Sequence, residues 1–142
     1  MHLFLYGDPG VGKSTLLREA LLRWGGPGSG FVTEKKECGD GFAAVYLNDV
    51  RNTPVYDDST LVARWRKPAD GGWPMSRQAY PERFDALGQS ALDVLPPGGV
   101  VLMDELGTLE QDARGFRGRI LAALDAPCRV LGVIKEQDDD FL

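Results

Sequence analysis

Apolar residues recur at intervals of three and four in three segments, which is the spacing of one face of an α-helix. The first segment ends at Gly25-Gly26-Pro27-Gly28, the second begins at Pro81, and the third ends near Pro127. Glycine after a last helical turn and proline in a first turn are typical helix boundaries. The predicted buried faces carry Leu16, Leu17, Ala20, Leu21 and Trp24, then Phe84, Leu87, Ala91, Leu92 and Leu95, then Phe116, Ile120, Leu121 and Leu124.

Short apolar runs without polar alternation predict strands that are buried on both faces, as in a parallel sheet. They lie at residues 2–6, 100–105 and 129–134. Together with the helices, these runs favour an α/β domain with a mostly parallel central sheet.

The segment between the first two helices has a different pattern. Residues 31–37 and 42–47 flank the turn Cys38-Gly39-Asp40-Gly41 and predict a β-hairpin. Residues 51–56 predict a third strand, which Pro54 either confines to an edge or ends. We therefore expect an antiparallel meander after the first helix. Gly28-Ser29-Gly30 is predicted to be a flexible loop, and residues 57–74, repeatedly interrupted by proline and glycine, a long mobile loop.

A glycine-rich motif lies between the first predicted strand and the first predicted helix. Its sequence is Gly7-Asp8-Pro9-Gly10-Val11-Gly12-Lys13-Ser14-Thr15, which fits G-x-x-x-x-G-K-[ST]. Backbone N–H groups of such a loop, with the positive end of the helix, form a cradle for phosphate oxygens. Lys13 is expected to reach the β- and γ-phosphates, and Ser14 to bind Mg²⁺. The alternative is a glycine-rich turn that matches by chance.

An acidic pair, Asp104-Glu105, ends the second predicted buried strand. Ligands of open α/β sheets bind at the carboxyl ends of the strands, which places both acids beside the phosphate loop. Mg²⁺ prefers oxygen ligands, so Asp104 is a candidate metal ligand, and Glu105 is a candidate for polarising the attacking water. The alternative is a strand end that is acidic without a role in chemistry.

Further polar residues are weaker candidates. Lys135 follows the last predicted strand and could contact the γ-phosphate, although a solvated lysine is the simpler interpretation. Thr33 and Glu34 belong to a strand that could also reach the site. A cation that neutralises transition-state charge could come from the middle of the chain or from a partner. The spacing does not choose among the four arginines in question, which are Arg51, Arg64, Arg66 and Arg77.

Composition restricts the other functions. The 142 residues, 43% hydrophobic and 26% charged, suit one soluble domain. A net charge of −5 argues against non-specific binding to nucleic acid or an anionic membrane, and the basic residues Arg64, Arg66 and Lys67 are expected to lie in a solvated loop. One histidine, His2, and two cysteines, Cys38 and Cys128, argue against a zinc site. We expect a cytoplasmic protein with no signal peptide.

Three stretches together resemble the small nucleoside-triphosphatases also described as cancer-related NTPases. They are the loop from Gly7 to Thr15, the segment Gly30-Phe31-Val32-Thr33-Glu34, and Asp104-Glu105-Leu106-Gly107-Thr108-Leu109-Glu110, which is similar to the family's Asp-Glu-Ile-Gly-x-Met-Glu. The resemblance implies a three-layer, RecA-like P-loop domain. It also implies Mg²⁺-dependent, slow hydrolysis of nucleoside triphosphates with broad base tolerance, and the roles given above for Lys13, Ser14, Asp104 and Glu105.

The chain departs from this family in two places. The family has a glycine- and lysine-rich segment before the second long helix, whereas residues 64–77 are arginine-rich and carry Trp65 and Trp73. The family also continues with a helix and a strand on the base side of the nucleotide, whereas this sequence stops at Leu142. We therefore expect a single P-loop domain over residues 1–142 that lacks those elements.

Three functions remain open from the sequence. The leading hypothesis is an Mg²⁺-dependent nucleoside-triphosphatase acting on ATP, and on GTP or other triphosphates. The second is a small-molecule kinase for a nucleoside or nucleotide, with residues 57–74 as a lid over the acceptor. The third is a nucleotide-dependent switch or adaptor, for which hydrolysis is a timer and a protein partner binds the triphosphate form.

Overall fold

Helices and strands alternate at the start of the chain and again at its end. A computed structural model describes residues 1–6, 13–67, 77–106 and 114–134; the side chains at positions 13, 14, 77, 105 and 106 lie outside the described part. The helices are α1 (Lys13–Trp24), α2 (Pro81–Ala91) and α3 (Arg114–Asp125). The strands are β1 (Leu3–Tyr6), β2 (Gly28–Glu37), β3 (Phe42–Asp49), β4 (Leu61–Arg66), β5 (Arg77–Ala79), β6 (Val100–Leu106) and β7 (Arg129–Ile134). Among these helices, none is long and apolar enough to cross a membrane.

The strands form one mixed sheet in the order β1-β7-β6-β2-β3-β4-β5. The first four strands in this order pair in parallel, and β2, β3, β4 and β5 pair antiparallel as a meander. The meander after α1 is confirmed, but a mostly parallel sheet describes only the β1-β7-β6-β2 half. The turn at residues 38–41 is too short for a crossover, so β3 can only return antiparallel to β2.

The middle of the chain corrects three predictions. Residues 28–30 are the start of β2 and not a flexible loop. Residues 51–56 are not a strand; instead, the Asn48 side chain donates to the Val55 carbonyl (3.0 Å) and accepts from the Val55 amide (2.9 Å). The third strand of the meander is β4, at 61–66, inside the predicted loop over 57–74. Arg64 and Arg66 therefore lie on a strand.

Two apolar clusters lie on opposite faces of the sheet and define three layers. The larger cluster includes Phe31, Met103, Phe84 of α2 and Phe116 of α3. The smaller cluster joins Leu17 of α1 to Val32, Leu102 and Val133. Because neighbouring strand residues point to opposite faces, α1 covers one face of the sheet, and α2 with α3 covers the other.

The predicted buried faces of α1 and β1 are only partly buried. Leu17 is 3% exposed and Leu21 packs against the smaller cluster, but Leu16 is 57% and Trp24 42% exposed, and Ala20 is exposed as well. β1 is the end strand of the described sheet, so Leu3 and Tyr6 remain largely exposed although a buried strand is predicted there. Among its described side chains, α1 thus contacts the sheet along a narrow stripe, about one residue wide per turn.

Candidate functional site

The boundaries of β1 and α1 give the glycine-rich motif the flanks that it needs. β1 ends at Tyr6 and α1 begins at Lys13. Residues 7–12, which are Gly7, Asp8, Pro9, Gly10, Val11 and Gly12, lie outside the described part, as do the side chains of Lys13 and Ser14. Thr15 is exposed in the first turn of α1. A strand, a six-residue connection and a helix N-terminus are the setting in which this motif binds phosphate.

The carboxyl ends of three parallel strands lie level with one another beside this connection. Tyr6 of β1 pairs with Ile134 of β7, and Ile134 pairs with Leu106 of β6. The segment after Tyr6 and the acidic end of β6 therefore open at the same edge of the sheet. Lys135 follows Ile134 but lies outside the described part, as do residues 107–113 and the side chain of Glu105.

Asp104 lies at this edge on the face that α1 covers. Leu102, two residues earlier, belongs to the cluster around Leu17, whereas Met103 belongs to the cluster on the other face. Asp104 is 1% exposed. Burying a carboxylate is costly without compensating charge or hydrogen bonds, so a fully buried aspartate at a strand end is typical of a binding site. A carboxylate is also an oxygen ligand of the kind that Mg²⁺ prefers, so the residue fits the metal implied by the resemblance.

Thr33 of β2 contacts the strand end that carries Asp104, and Glu34 follows Thr33 along β2. The Thr33 hydroxyl donates to the Asp104 carbonyl at 3.4 Å. Glu34 lies two residues beyond Val32, which belongs to the cluster around Leu17, so its side chain shares the α1 face with Asp104. The prediction that these two residues reach the neighbourhood of the acidic strand end is consistent with this placement.

Three donors surround the Glu34 carboxylate, and we call Arg18, Glu34, Lys36 and Tyr56 the Glu34 cluster. Arg18 Nη2 lies 2.5 Å from Oε1, the Tyr56 hydroxyl donates to Oε2 at 2.9 Å, and Lys36 Nζ lies 3.4 Å from Oε2. Burial would raise the pKa of Glu34, but the hydrogen bond from Tyr56, the charge and hydrogen bond of Arg18, and Lys36 together hold that pKa below its usual value. Glu34 is therefore a stable carboxylate at neutral pH.

The candidate arginines have different surroundings. Arg51 hydrogen-bonds Asp49 (2.6 Å) and Asp93 (3.0 Å) and the Ser90 carbonyl, which ties the end of β3 to the end of α2. The hydrogen bonds that Arg51 donates to Asp49 and Asp93 raise its pKa, and they engage its guanidinium at this junction. Arg64 pairs with Asp40 and lies over the Phe42 ring. The Arg77 side chain lies outside the described part.

Arg18 is the residue that the sequence analysis missed. It lies one and a half turns after the start of α1 and reaches across to β2. The available signal was the spacing between Lys13 and Arg18 on one helix, which indicates that Arg18 is near the motif. That spacing gives no information on its partner.

The comparisons with known proteins agree with these features. A family model described as NTPase matches residues 2–142. A cancer-related nucleoside-triphosphatase homolog of Bos taurus is 31% identical over 141 residues, which cover 94% of this chain and 74% of the relative. A nucleoside-triphosphatase of Methanocaldococcus jannaschii is 32% identical over 121 residues, which cover 82% of this chain and 67% of the relative.

Solved structures of nucleoside-triphosphatases are also similar to this chain. The solution structure of a human cancer-related nucleoside triphosphatase matches with a TM-score of 0.65 and 25% identity, over 98% of this chain and 78% of that one. The crystal structure of THEP1 from Aquifex aeolicus matches with a TM-score of 0.67 over 97% of this chain and 78% of that one, and at 20% identity it supports the fold alone. The chain therefore belongs to this family of NTPases, enzymes that hydrolyse nucleoside triphosphates.

Proposed function

We propose that this NTPase hydrolyses the bond between the β- and γ-phosphates in a Mg²⁺-dependent reaction, on a RecA-like P-loop domain. The observation that carries the proposal is the buried Asp104 at the strand edge where the motif from Gly7 to Thr15 connects β1 to α1. The backbone of that motif and Lys13 would hold the phosphates, and Ser14 and Asp104 would hold Mg²⁺. When bound, Mg²⁺ neutralises phosphate charge.

Glu105 is proposed to act on the attacking water. The water oxygen forms a bond to the γ-phosphorus, the bond from that phosphorus to the bridging oxygen breaks, and a proton of the water passes to the Glu105 carboxylate or to the phosphate. The products are a nucleoside diphosphate and phosphate. The lowered pKa of Glu34 and its three donors make it a poor proton acceptor, which favours Glu105 for this role.

The nucleotide substrate is proposed to be ATP, with GTP, CTP and UTP also accepted. The resemblance to the cancer-related NTPases is the support for this base tolerance. The acceptor lid that a kinase would need over residues 57–74 is not favoured, because residues 61–66 are β4, paired with β3 in the sheet.

The experiment is phosphate release from the four triphosphates, with and without Mg²⁺, by wild type, Lys13→Ala and Glu105→Gln. We expect Mg²⁺-dependent release by wild type with all four, and large losses in both variants. Activity that survives Lys13→Ala would refute the site, and equal rates for wild type and Glu105→Gln would remove Glu105 from the mechanism.

A further inference from the structure

We propose that Glu34 is a positioning residue for the phosphate site, acting through Arg18 and Tyr56. The proposal rests on the proposed function, since it concerns the same site. In this role, the carboxylate fixes the first turns of α1 against β2, and so fixes the helix start relative to Asp104. Glu34 does not itself exchange a proton with the attacking water.

Apolar side chains attach α1 to the sheet. Among the described side chains of this helix, Leu17 is buried and Leu21 partly buried, whereas Leu16 and Trp24 are exposed, so the apolar contact with the sheet is narrow. A narrow stripe holds a helix to a sheet but resists rotation about its axis poorly. The bond from Arg18 to Glu34 adds a contact to the side of that stripe. Lys13 and Ser14 begin the same helix, so a rotation of α1 would move both of them.

Glu34 lies on the strand that pairs with the strand carrying Asp104. Phe31 pairs with Met103 across β2 and β6, and the Thr33 hydroxyl contacts the Asp104 carbonyl. Glu34 thus follows directly along β2, on the face that Asp104 shares. The hydrogen bond from Arg18 to Glu34 therefore positions α1 against the strand pair that carries Asp104, and not against a distant part of the sheet.

The surroundings of Glu34 restrict the orientation of its carboxylate. The Glu34 side chain is 16% exposed, and both of its carboxylate oxygens are engaged. Tyr56 is itself restrained, because the neighbouring Val55 makes two hydrogen bonds with the Asn48 side chain and the Tyr56 ring packs edge-to-face on Tyr46 at 5.7 Å. A half-buried carboxylate that accepts hydrogen bonds at both oxygens is restricted in orientation, which is what a positioning residue requires.

The test compares Glu34→Gln with Glu37→Gln in full-length protein. Glu37 lies on the same strand and also pairs with a lysine, but its side chain is 69% exposed, so it is a matched control for the loss of one carboxylate. Steady-state hydrolysis is measured from pH 5 to 9, together with the affinity for a non-hydrolysable triphosphate, at a temperature where circular dichroism shows each protein folded.

We expect Glu34→Gln to lower kcat/KM about tenfold, because small misplacements of phosphate-binding groups are costly. The acidic limb of its pH profile should be retained, and Glu37→Gln should equal wild type. A loss of a thousandfold or more together with loss of that limb would overturn the proposal, since Glu34 would then be the general base. Equal kinetics for the two variants would overturn it as well.

Two further variants keep the test decisive. If Glu34→Gln does not fold, Tyr56→Phe removes only one donor and should lower kcat/KM severalfold; kinetics equal to wild type would then reject the proposal. Lys13→Ala distinguishes a failure of the proposed function from a failure of the positioning role. If wild-type hydrolysis does not depend on Lys13, the proposed function fails, whereas Lys13-dependent hydrolysis that Glu34→Gln leaves intact refutes the positioning role alone.

Discussion

Gly30→Ala is expected to destabilise the protein strongly, because the backbone of β6 occupies the space that a side chain would need. Gly30 has a φ of 112°, which L-residues rarely adopt, and its Cβ would lie 1.9 Å from the Leu102 carbonyl oxygen. Backbone strain of this kind costs about 1–3 kcal/mol. Overpacking adds about 1–3 kcal/mol. The reduced entropy of the unfolded chain returns about 0.4–1 kcal/mol. The net expected loss is about 1–6 kcal/mol, from a typical total of about 5–15 kcal/mol.

Gly28→Ala is the matched control for this substitution. Gly28 lies two residues earlier on the same strand and face, and has no positive φ. Its Cβ would meet the end of the Leu21 side chain at 3.0 Å, and that half-buried side chain can shift. We expect a change within about 1 kcal/mol of wild type. Urea unfolding followed by tryptophan fluorescence and circular dichroism gives both free energies.

A stability of Gly30→Ala equal to that of Gly28→Ala would refute the reasoning. It would mean that β2 and β6 can separate at Gly30 without cost. The same two variants report on the site, because Gly30 pairs with Leu102, two residues before Asp104. At temperatures where both variants are folded, Gly30→Ala should also bind a non-hydrolysable triphosphate more weakly than Gly28→Ala does.

Four further predictions concern stability and the candidate charges. Gly88→Ala should destabilise the protein by about 1–3 kcal/mol, because its Cβ would lie 2.4 Å from the buried Phe116 ring. Gly118→Ala, whose Cβ would meet no atom within 4 Å, should stabilise α3, and the urea midpoints of the two variants test both expectations. His2→Ala should cost about 1–3 kcal/mol, measured in the same way, because its ring bonds a carbonyl at the end of α3 and an amide of β7. Arg51→Met should lower the urea midpoint and leave kcat unchanged; a large loss of kcat would return Arg51 to the site. The pKa of Glu34 is lowered in the folded state, so ionised Glu34 stabilises the fold above its unfolded-state pKa, and this stabilisation is lost as pH falls through the folded-state pKa. The difference in unfolding free energy between wild type and Glu34→Gln should therefore shrink from pH 7 to pH 3.

The helices and the buried strands could be predicted because burial imposes a period on the sequence. α2 begins at Pro81 and β7 spans Arg129–Ile134, both as expected. α2 ends at Ala91, earlier than its apolar period suggests. Leu92 and Leu95 still pack on the same core beyond the helix, so the period reports a buried face and not the helix itself.

The meander was harder to predict because its strands depend on their partners. β4 has the sequence LVARWR, in which two arginines interrupt the apolar pattern that would identify a strand. It forms because β3 offers a free edge and pairs with it from Phe42 to Tyr46. Residues 51–56 have strand-like composition, but the bonds between Asn48 and Val55 hold them out of the sheet. Local pattern cannot distinguish the two segments.

At the site, too, the residue types could be predicted from the sequence, whereas the contacts that depend on strand register could not. The acidic end of β6 follows from a rule about strand ends, so Asp104 could be found from the sequence. The Glu34 cluster joins residues 16 and 22 positions apart, and a shift of one residue in the pairing of β2 would turn Glu34 to the opposite face. Gly30 is what permits this pairing, because its missing Cβ lets the β6 backbone approach. Gly30 and Glu34, the first and last residues of the Gly30-Phe31-Val32-Thr33-Glu34 segment, therefore act together. The first residue allows β2 to pair closely with β6, and the last lies on the face that Asp104 shares and contacts Arg18.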